Sequence, residues 1–311
     1  MISIEHIIVS LVMKQLCKIF SLVLISFLTS TLASCSSEGD VVKKNSSIEM
    51  RACSFNLRGV VKNDKGTRNW KHRKNIVANF IRKYDIDIIG TQESAVKQFP
   101  AFNKLLPDYA YFGESSLGKK DGRVINLILY KKSKYKLHEN ATLWLAPTPK
   151  EKTKILDSAE PRTVTYGKFS DNKTGKIFYV FSTHLDHRGK KAKPEQAKYL
   201  MDIISKTTKG APYILVGDFN SGDNSKVIRH IKSQQGILDA RDVSKKEPIN
   251  MPHTFNAFKG HTQKGNKDAK RIDFVFLSSP SEVNSYEVSD YNENGVYPSD
   301  HYPVLCDIIL K

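Results

Sequence analysis

Side chains that can carry acid–base or metal chemistry stand at the ends of apolar runs in this 311-residue chain. Asn56 ends the first run, and Glu93 follows the run that begins at Ile88. An aspartate after a strand is usually a turn or cap residue. Several such groups together are typical of α/β proteins that build a polar site at strand ends. The other groups of this kind are His184 and Asp186, Asp218 and Asn220, and Asp300 and His301.

Asp273 is the most informative of these residues because it interrupts an apolar, strand-like run. A carboxylate inside a strand is costly to bury unless it has a partner, and His301 is the natural one. Such a pair can activate water, because the imidazole takes the proton while the carboxylate orients the ring and stabilises its charged form. We therefore predict an Asp273–His301 pair.

The residue types favour metal-assisted hydrolysis of a phosphate ester. The set contains carboxylates and amides and no thiolate, which suits Mg²⁺ or Mn²⁺. Attack of water on a phosphate needs such a metal, a proton acceptor and donors for the phosphate oxygens. The chain has no G-x-S-x-G, P-loop or H-E-x-x-H motif, so serine hydrolases, nucleotide-triphosphate motors and zincin proteases have no support.

Charge is compatible with an anionic substrate but does not prove one. The chain carries 49 Lys and Arg against 32 Asp and Glu, a formal net charge of +17. This excess would gather a polyanionic substrate, and a merely soluble, lysine-rich surface would show it too. The apolar content of 40% excludes disordered and collagen-like classes.

Short β-branched and aromatic runs alternate with amphipathic segments, and these elements must position the polar groups. An apolar stripe from Ile76 to Tyr84 predicts one helix, and a second from Ala197 to Ile204 follows Pro194, which suits a first helical turn. Many strands and few helices predict two packed sheets flanked by helices. The predicted strands cover residues 50–57, 86–91, 126–130, 163–169, 176–183, 213–217, 272–277 and 304–310.

The N-terminal segment predicts a lipid anchor. The apolar stretch 19–28 follows Lys14 and Lys18 and is too short for a comfortable membrane span. Residues 32–35 resemble a bacterial lipobox, in which the thiol of the cysteine, here Cys35, is diacylated and the chain is cut just before it. An ordinary secretory signal is the alternative. Met13 begins a more typical leader than Met1 does.

The predicted organisation is therefore a lipoprotein signal peptide over 1–35 with Cys35 retained, a flexible tether over 36–48 and one domain over 49–311. We expect a monomer in the bacterial cell envelope, anchored to the periplasmic or outer-membrane surface. Cys53 and Cys306 lie in apolar runs, which favours two buried thiols over a disulfide.

Six motifs occur in order along the chain: SFNLR (54–58), GTQE (90–93), STHLD (182–186), GDFN (217–220), RID (271–273) and SDH (299–301). In this order they resemble the endonuclease/exonuclease/phosphatase superfamily, which includes deoxyribonuclease I, bacterial sphingomyelinases and inositol-polyphosphate 5-phosphatases. Segments 183–189 and 143–145 are similar to those of secreted bacterial members. The resemblance implies a four-layer α/β sandwich, with two mixed β-sheets packed face to face and helices outside.

The resemblance also implies roles. Glu93 is the principal metal ligand, with Asn56 and Asp300 assisting. His301, oriented by Asp273, activates water or binds the scissile phosphate. The remaining implied roles are Asp218 for the leaving group or nucleophile, Asn220 and His184 as donors to the phosphate, and Arg162, Asp186 and Asn126 on the substrate side.

Two positions are ambiguous within this resemblance. Arg162 is either a phosphate clamp or a surface salt bridge. Val124 stands where similar sequences carry an acidic residue, which affects substrate contacts and leaves the chemistry intact.

The substrate class stays open between alternatives. A nuclease or phosphodiesterase leads, because the charge and aromatic residues such as Trp70, Tyr111 and Trp144 suit nucleic acid. A phosphatase or phospholipase acting on lipid headgroups, sugar phosphates or inositol phosphates is second; segment 109–112 is the nearest candidate for the apolar hairpin that a lipid substrate needs. A non-catalytic anchored binding protein is third, and the intact polar set argues against it.

Overall fold

The computed structural model describes residues 47–118, 120–249, 253–260 and 271–311. The predicted signal peptide, Cys35 and most of the predicted tether lie outside the described residues. Strand β1 begins at Ile48, which is 1% exposed and lies one residue before the predicted start of the domain. Among the described residues, no helix has the length and apolarity that a membrane crossing requires.

Twelve strands in the described residues form two six-stranded sheets. The first sheet contains β1 (Ile48–Asn56), β2 (Ile88–Ser94), β3 (Tyr109–Phe112), β4 (Ile125–Lys131), β11 (Glu282–Val288) and β12 (Val304–Leu310). The second contains β5 (Tyr135–Trp144), β6 (Thr163–Asp171), β7 (Ile177–His184), β8 (Tyr213–Asp218), β9 (Ile237–Asp239) and β10 (Asp273–Ser278). Their strand orders are β11-β12-β1-β2-β4-β3 and β5-β6-β7-β8-β10-β9.

Each sheet is mixed in the same way. β1 and β2 run parallel in the first sheet, as do β7 and β8 in the second, and the other neighbours are antiparallel. Parallel neighbours place their carboxyl ends at the same edge of the sheet. In each sheet, the ends of the two parallel strands therefore lie at one edge, and the polar residues that follow the apolar runs lie there too.

Four α-helices in the described residues cover the outer faces: α1 (Trp70–Lys83), α2 (Phe99–Leu105), α3 (Ala192–Thr208) and α4 (Lys226–Lys232). Asn69 caps α1 by accepting from the Lys71 amide, and Ser225 caps α4 by accepting from the Ile228 amide. Such caps satisfy main-chain donors that have no partner in the first turn.

Three apolar clusters separate the layers. Ile128, Val180 and Val275 belong to the cluster between the two sheets. Val77 and Phe80 of α1 pack on the first sheet, and the matching layer on the second sheet is formed by α3 and α4. The order helix, sheet, sheet, helix confirms the predicted α/β sandwich with two mixed sheets face to face.

The eight predicted strands and both predicted helices are present, and strands β3, β5, β9 and β11 and helices α2 and α4 are additional. The missed strands are short or carry many polar residues, as in β5, so the apolar alternation that marks a strand is weak in them. Cys53 and Cys306 are buried free thiols, as predicted.

The aromatic residues considered for substrate contacts have structural positions instead. Segment 109–112 is the edge strand β3, paired with β4, and not an exposed apolar hairpin. Tyr111 packs against Phe99 at a ring distance of 4.8 Å. Trp70 and Trp144 are buried, and the Trp144 indole donates to the Ser116 carbonyl at 2.9 Å.

Candidate active site

Strand register brings most of the predicted polar residues to one end of the two sheets. In the first sheet, Asn56 lies opposite Gln92, the residue before Glu93. In the second, Asp218 lies opposite His184 on one side and opposite Asp273 on the other. The polar set is therefore assembled by pairing between strands that are far apart in sequence.

The predicted Asp273–His301 pair is present. Nδ1 of His301 lies 2.9 Å from Oδ2 of Asp273, and both side chains are buried. Burial alone would lower the pKa of His301, but the carboxylates of Asp273, Asp218 and Asp300 raise it above its ordinary value. The surrounding carboxylates therefore favour the protonated ring, and Asp273 orients it with Nε2 directed away from that partner.

Asp218 lies at the centre of the group. Its Oδ2 accepts from Nδ2 of Asn56 at 3.1 Å and lies 3.8 Å from Nε2 of His301, and its Oδ1 accepts from the Asn220 amide at 2.9 Å. Burial and the nearby Asp273 carboxylate raise the pKa of Asp218 above its ordinary value. This carboxyl group can therefore hold a proton more readily than a solvated one.

Glu93 is turned into the site by an irregularity in β2. The register between β2 and β4 shifts between Thr91 and Ser94, and Glu93 has a φ of +57°. A bulge of this kind redirects a side chain at the end of a strand. Nδ2 of Asn56 donates to Oε1 of Glu93 at 3.3 Å, so one amide connects Glu93 with Asp218.

Asp300 enters the site beside an arginine that the sequence analysis assigned no role. Nη1 of Arg58 lies 3.3 Å from Oδ2 of Asp300, and the Arg58 amide donates to Oδ1 of Asn56 at 3.0 Å. Arg58 follows Asn56 in the SFNLR motif, which was the available signal. It places a guanidinium group in the cavity lining.

Four residues that line this site have a left-handed backbone conformation. Arg58, Glu93, Val124 and Asn220 have φ values of +46°, +57°, +54° and +47°, and all four line one cavity. Residues with a Cβ rarely adopt this conformation, and strain of this kind clusters at functional sites.

His184 and Asn220 support each other. Nδ2 of Asn220 donates to the Leu185 carbonyl at 3.0 Å and lies 2.9 Å from Nε2 of His184, so this nitrogen is the acceptor. Burial lowers the pKa of His184 well below its ordinary value, which keeps the ring neutral. In this arrangement His184 holds Asn220 in place, and donation to a phosphate requires Asn220 to turn away.

Arg162 lies in the cavity wall and is buried, which is not the surface salt bridge that was one of its two interpretations. Its Nε is 3.5 Å from Oδ2 of Asp186, and its Nη2 is 3.0 Å from Nδ1 of His187. Asp186 is fully buried and is absent from the cavity lining. In the structure Asp186 holds Arg162 and its own loop, and its contact with a substrate stays a prediction.

Asn126 is a second predicted substrate-side residue that lies outside the cavity lining. It is buried, outside the cavity lining, and donates to the Thr163 carbonyl at 2.9 Å, which connects β4 with β6 of the other sheet. Val124, two residues earlier, does line the cavity. Similar sequences carry an acidic residue at this position, so the valine changes the chemistry of a surface that a substrate can touch.

The cavity has a volume of about 790 Å³ and is open to solvent. Several residues that the sequence analysis did not name contribute to it, among them Lys62, His187 and Phe255. The exposed Phe255 ring packs edge-on against His301 at 5.0 Å. Its position could not be found from sequence, because no strand-end pattern marks it. The site residues predicted from the sequence that line the cavity are Glu93, Arg162, His184, Asp218, Asn220, Asp300 and His301.

Arg73 of α1 supports the loops at the edge of the cavity from the protein interior. It is fully buried, and its guanidinium donates to the main-chain carbonyls of residues 57, 58, 59, 68 and 298. Burial lowers its pKa to about 10, so it remains charged at neutral pH. One side chain thereby holds the loop after β1, which carries Arg58, and the segment before Asp300.

The donor set fits a divalent cation. Glu93, Asp218 and Asp300 direct carboxylates toward one cavity, and no ion pair to Glu93 is found within the described part of the chain. Oδ1 of Asp273 is buried without a hydrogen-bond partner there. Asp218, Asp273 and His301 also have ligand atoms within 4.8 Å of one another. Clustered hard oxygen donors with excess negative charge are what Mg²⁺ and Mn²⁺ bind.

Comparison with known proteins agrees with this geometry. The profile of the Endonuclease/Exonuclease/phosphatase family matches residues 53–301. This range runs from β1 to His301 and so contains the whole polar group. A search of curated protein sequences found no relative.

Several solved structures resemble the chain. An endonuclease/exonuclease/phosphatase from Bacteroides vulgatus is 30% identical, with a TM-score of 0.79, covering 85% of this chain and 100% of that one. A mannosyl-6-phosphatase from Bacteroides thetaiotaomicron is 30% identical, with a TM-score of 0.77 and coverage of 83% and 99%. The human Nocturnin catalytic domain, at 20% identity, a TM-score of 0.67 and coverage of 85% and 94%, shares the fold.

Proposed function

The chain belongs to the endonuclease/exonuclease/phosphatase family of phosphoester hydrolases, and we propose that it hydrolyses a phosphoester with a bound divalent cation and a water activated by His301. The observation that carries this proposal is the buried His301–Asp273 pair, which shares one cavity end with Asp218 and Glu93. This is the machinery that deprotonates water beside a phosphate.

Glu93 and Asp300 are the residues that would hold the cation, with Asn56 orienting Glu93 through its amide. When bound, a divalent cation polarises a phosphoryl oxygen and neutralises charge that develops on the phosphate.

The chain's own residues would then move the protons and bind the phosphate oxygens. A bound cation would offset the carboxylate charge that raises the pKa of His301, so that Nε2 can accept the proton of the attacking water while Asp273 stabilises the charged ring. Arg58 and Arg162 lie in the cavity wall, where their guanidinium groups can donate to phosphate oxygens. Asp218, with its raised pKa, can supply a proton to the departing oxygen.

For the substrate we propose a phosphomonoester of a small polar molecule such as a sugar. The mannosyl-6-phosphatase, 30% identical over 83% of this chain, supports this choice. The wide, open cavity suits a polar substrate, and the burial of Trp70 and Trp144 removes one argument for base stacking. A nucleotide phosphodiester is the second candidate, favoured by the net charge of +17.

Hydrolysis with and without His301 tests the activity. Mannose 6-phosphate, bis-p-nitrophenyl phosphate, plasmid DNA, poly(A) RNA and sphingomyelin are each incubated with Mg²⁺, with Mn²⁺ and with EDTA. We expect metal-dependent turnover, and a loss of about 10²- to 10⁴-fold in His301→Ala, as for other general bases. The control is His138→Ala, an exposed histidine on β5. Equal turnover in His301→Ala, or none from any substrate with folded protein, would overturn the proposal and favour a binding protein.

We also propose that the mature chain is anchored by a lipid on Cys35, as the lipobox-like residues 32–35 suggest. Expression in a bacterium with a radiolabelled fatty acid tests this. Label should enter wild-type protein and be absent from Cys35→Ser, which should be released in soluble form. Label in both variants would contradict the anchor.

A further inference from the structure

One wall of the catalytic cavity is formed by the segment that leads into β6. Glu160 and Arg162 of this segment line the cavity, and Pro161 between them does not. Proline disfavours a helical conformation in the residue before it, and in an extended chain alternate side chains face the same way. The segment therefore brings a carboxylate and a guanidinium to the same wall.

The main chain of this wall is fixed from the protein interior. The amides of Ala159 and Glu160 donate to Oδ2 of the buried Asp186 at 2.9 and 3.3 Å. The hydroxyl of Ser158 donates to the Glu160 carbonyl. Both main-chain polar groups of Glu160 thus have partners within the protein, and its half-buried side chain is the part left for a ligand.

The cations around the Glu160 carboxylate are engaged elsewhere. Asp121 and, more weakly, Glu160 raise the pKa of Arg123, and Asp121 holds that guanidinium at 3.1 Å from Nε and 2.8 Å from Nη2. Nη2 of Arg162 lies 3.0 Å from Nδ1 of His187. Among the described residues, four Lys or Arg side chains line the cavity and none forms an ion pair with Glu160: Arg58, Lys62, Arg123 and Arg162.

His187 adds a hydrogen-bond donor to the same wall. A guanidinium only donates, so Nδ1 of His187 accepts from Arg162 and the ring proton lies on Nε2. The His187 side chain is exposed and lines the cavity. Burial and, after it, the charge of Arg162 lower the pKa of His184, so this wall adjoins the residues assigned to the phosphate.

Acceptor and donor groups therefore occur together on this wall. A hydroxyl group both donates and accepts, so neighbouring hydroxyls of one ligand satisfy the carboxylate of Glu160 and the Nε2 proton of His187. A second phosphate would be repelled by the carboxylate. An apolar group would cover the carboxylate without replacing its hydrogen bonds to water, which is costly.

We propose that Glu160 and His187 bind hydroxyl groups of the substrate's alcohol portion while its phosphate lies among the catalytic residues. The inference rests on the proposed function and deepens it, because it names a polyhydroxylated alcohol as the leaving group and the two residues that select it. Neither residue takes part in bond cleavage. They determine specificity by favouring hydroxyls and disfavouring a further anion at this position.

Binding without turnover tests this subsite. Calorimetric titration in EDTA compares mannose 6-phosphate with ethyl phosphate, which carries the phosphate without hydroxyls. We expect wild type to bind mannose 6-phosphate about tenfold more tightly and Glu160→Gln to lose most of that preference, since hydrogen bonds to charged groups have this magnitude. The control is Glu151→Gln, an exposed glutamate of the same loop that lies outside the cavity lining.

Equal affinity of wild type for the two probes would overturn the inference, as would an unchanged preference in Glu160→Gln. An equal loss of affinity for both probes would also contradict it, because the effect would then be on the phosphate. The titration needs no turnover, so failure of the subsite and failure of the hydrolase proposal are distinguishable.

His187→Asn tests the donor separately. The asparagine oxygen can still accept from Arg162, but the Nε2 proton is lost. We expect its affinity for mannose 6-phosphate to fall about threefold, as for a neutral hydrogen bond, and its affinity for ethyl phosphate to stay unchanged. Unchanged affinity for both probes would remove His187 from the subsite.

Turnover separates a specificity role from a role in the chemistry. Glu160→Gln should raise KM for mannose 6-phosphate about tenfold with kcat within about twofold of wild type, because binding that is equal in ground and transition states affects KM. Its kcat/KM for p-nitrophenyl phosphate, which has no hydroxyl groups, should match wild type. An equal fall in kcat for both substrates would contradict the inference and place Glu160 among the catalytic residues.

Discussion

Asp186 contributes to the molecule as a buried anion that organises main chain. Its Oδ1 accepts from the amides of Arg188 and Gly189, and its Oδ2 from Ser158 and the Ala159 amide, at 2.6 to 3.0 Å. Burial alone would raise the pKa of Asp186, but these hydrogen bonds and the charge of Arg162 hold it well below its ordinary value. A residue in a catalytic motif can thus act entirely through its neighbours.

The charge of Asp186 should make stability depend on pH. Because its pKa is lower in the folded state, its stabilisation is complete above the unfolded pKa, ordinarily 3.8, and is lost as pH falls through the folded value. At pH 7, Asp186→Asn should lower the free energy of unfolding by about 3 kcal/mol. Below pH 3.8 the difference from wild type should shrink by up to about 1.4 kcal/mol per pH unit.

Urea unfolding of wild type and Asp186→Asn at pH 7, 5 and 3 measures this difference. The matched control is Asp202→Asn, an exposed carboxylate on α3, which should change stability little at any of these pH values. A deficit in Asp186→Asn that is the same at pH 3 as at pH 7 would contradict the assigned role.

At the scale of secondary-structure elements, strand β2 has both a packing role and a chemical role. Its first half packs against the second sheet, and its second half bulges to present Glu93. Gly90 allows the close approach: a Cβ there would lie 2.0 Å from Cγ2 of Val216 and 3.1 Å from the Ser182 side chain. The GTQE motif therefore combines a packing requirement at its glycine with a chemical one at its glutamate.

Gly90→Ala should destabilise the fold by about 1 to 3 kcal/mol, because the added methyl overpacks the interface between the sheets. The free energy of unfolding in urea gives the magnitude. In a Val216→Ala background, which removes the clashing methyl groups, the same substitution should cost less. Equal costs in the two backgrounds would show that the Gly90–Val216 contact is not the cause.

At the scale of the whole molecule, catalytic residues come from both sheets. Glu93, Asn56 and His301 belong to the first sheet or its loops, and Asp218 and Asp273 to the second. The apolar cluster between the sheets therefore sets the spacing of the carboxylates. Several like charges are held close together, which a bound cation would relieve.

A divalent cation should accordingly stabilise the whole protein. Binding to the native state alone adds RT ln(1 + [L]/Kd), about 2.7 kcal/mol at 100 times Kd, which corresponds to a rise of several degrees in Tm. We expect this rise with MgCl₂ or MnCl₂, a much smaller one in Glu93→Gln, and the full rise in the exposed control Glu151→Gln. Thermal unfolding at constant ionic strength measures it; an equal rise in Glu93→Gln would place the cation elsewhere.

The sequence by itself determined the eight main strands, the two longer helices and the residues that follow the strands. Local information suffices here, because apolar alternation reports the buried face of a strand directly. It also determined the Asp273–His301 pair, since a carboxylate within an apolar strand must have a partner. The order of the motifs within residues 53–301 identified the family.

Only the tertiary structure decided which of these residues face the cavity. Asp186 and Asn126 sit in equally suggestive positions of the sequence, yet both are buried away from it. Phe255 and Lys62 carry no local signal, and they meet the site because distant segments pack together. Cavity composition is a property of long-range packing, which neither periodicity nor spacing along the chain encodes.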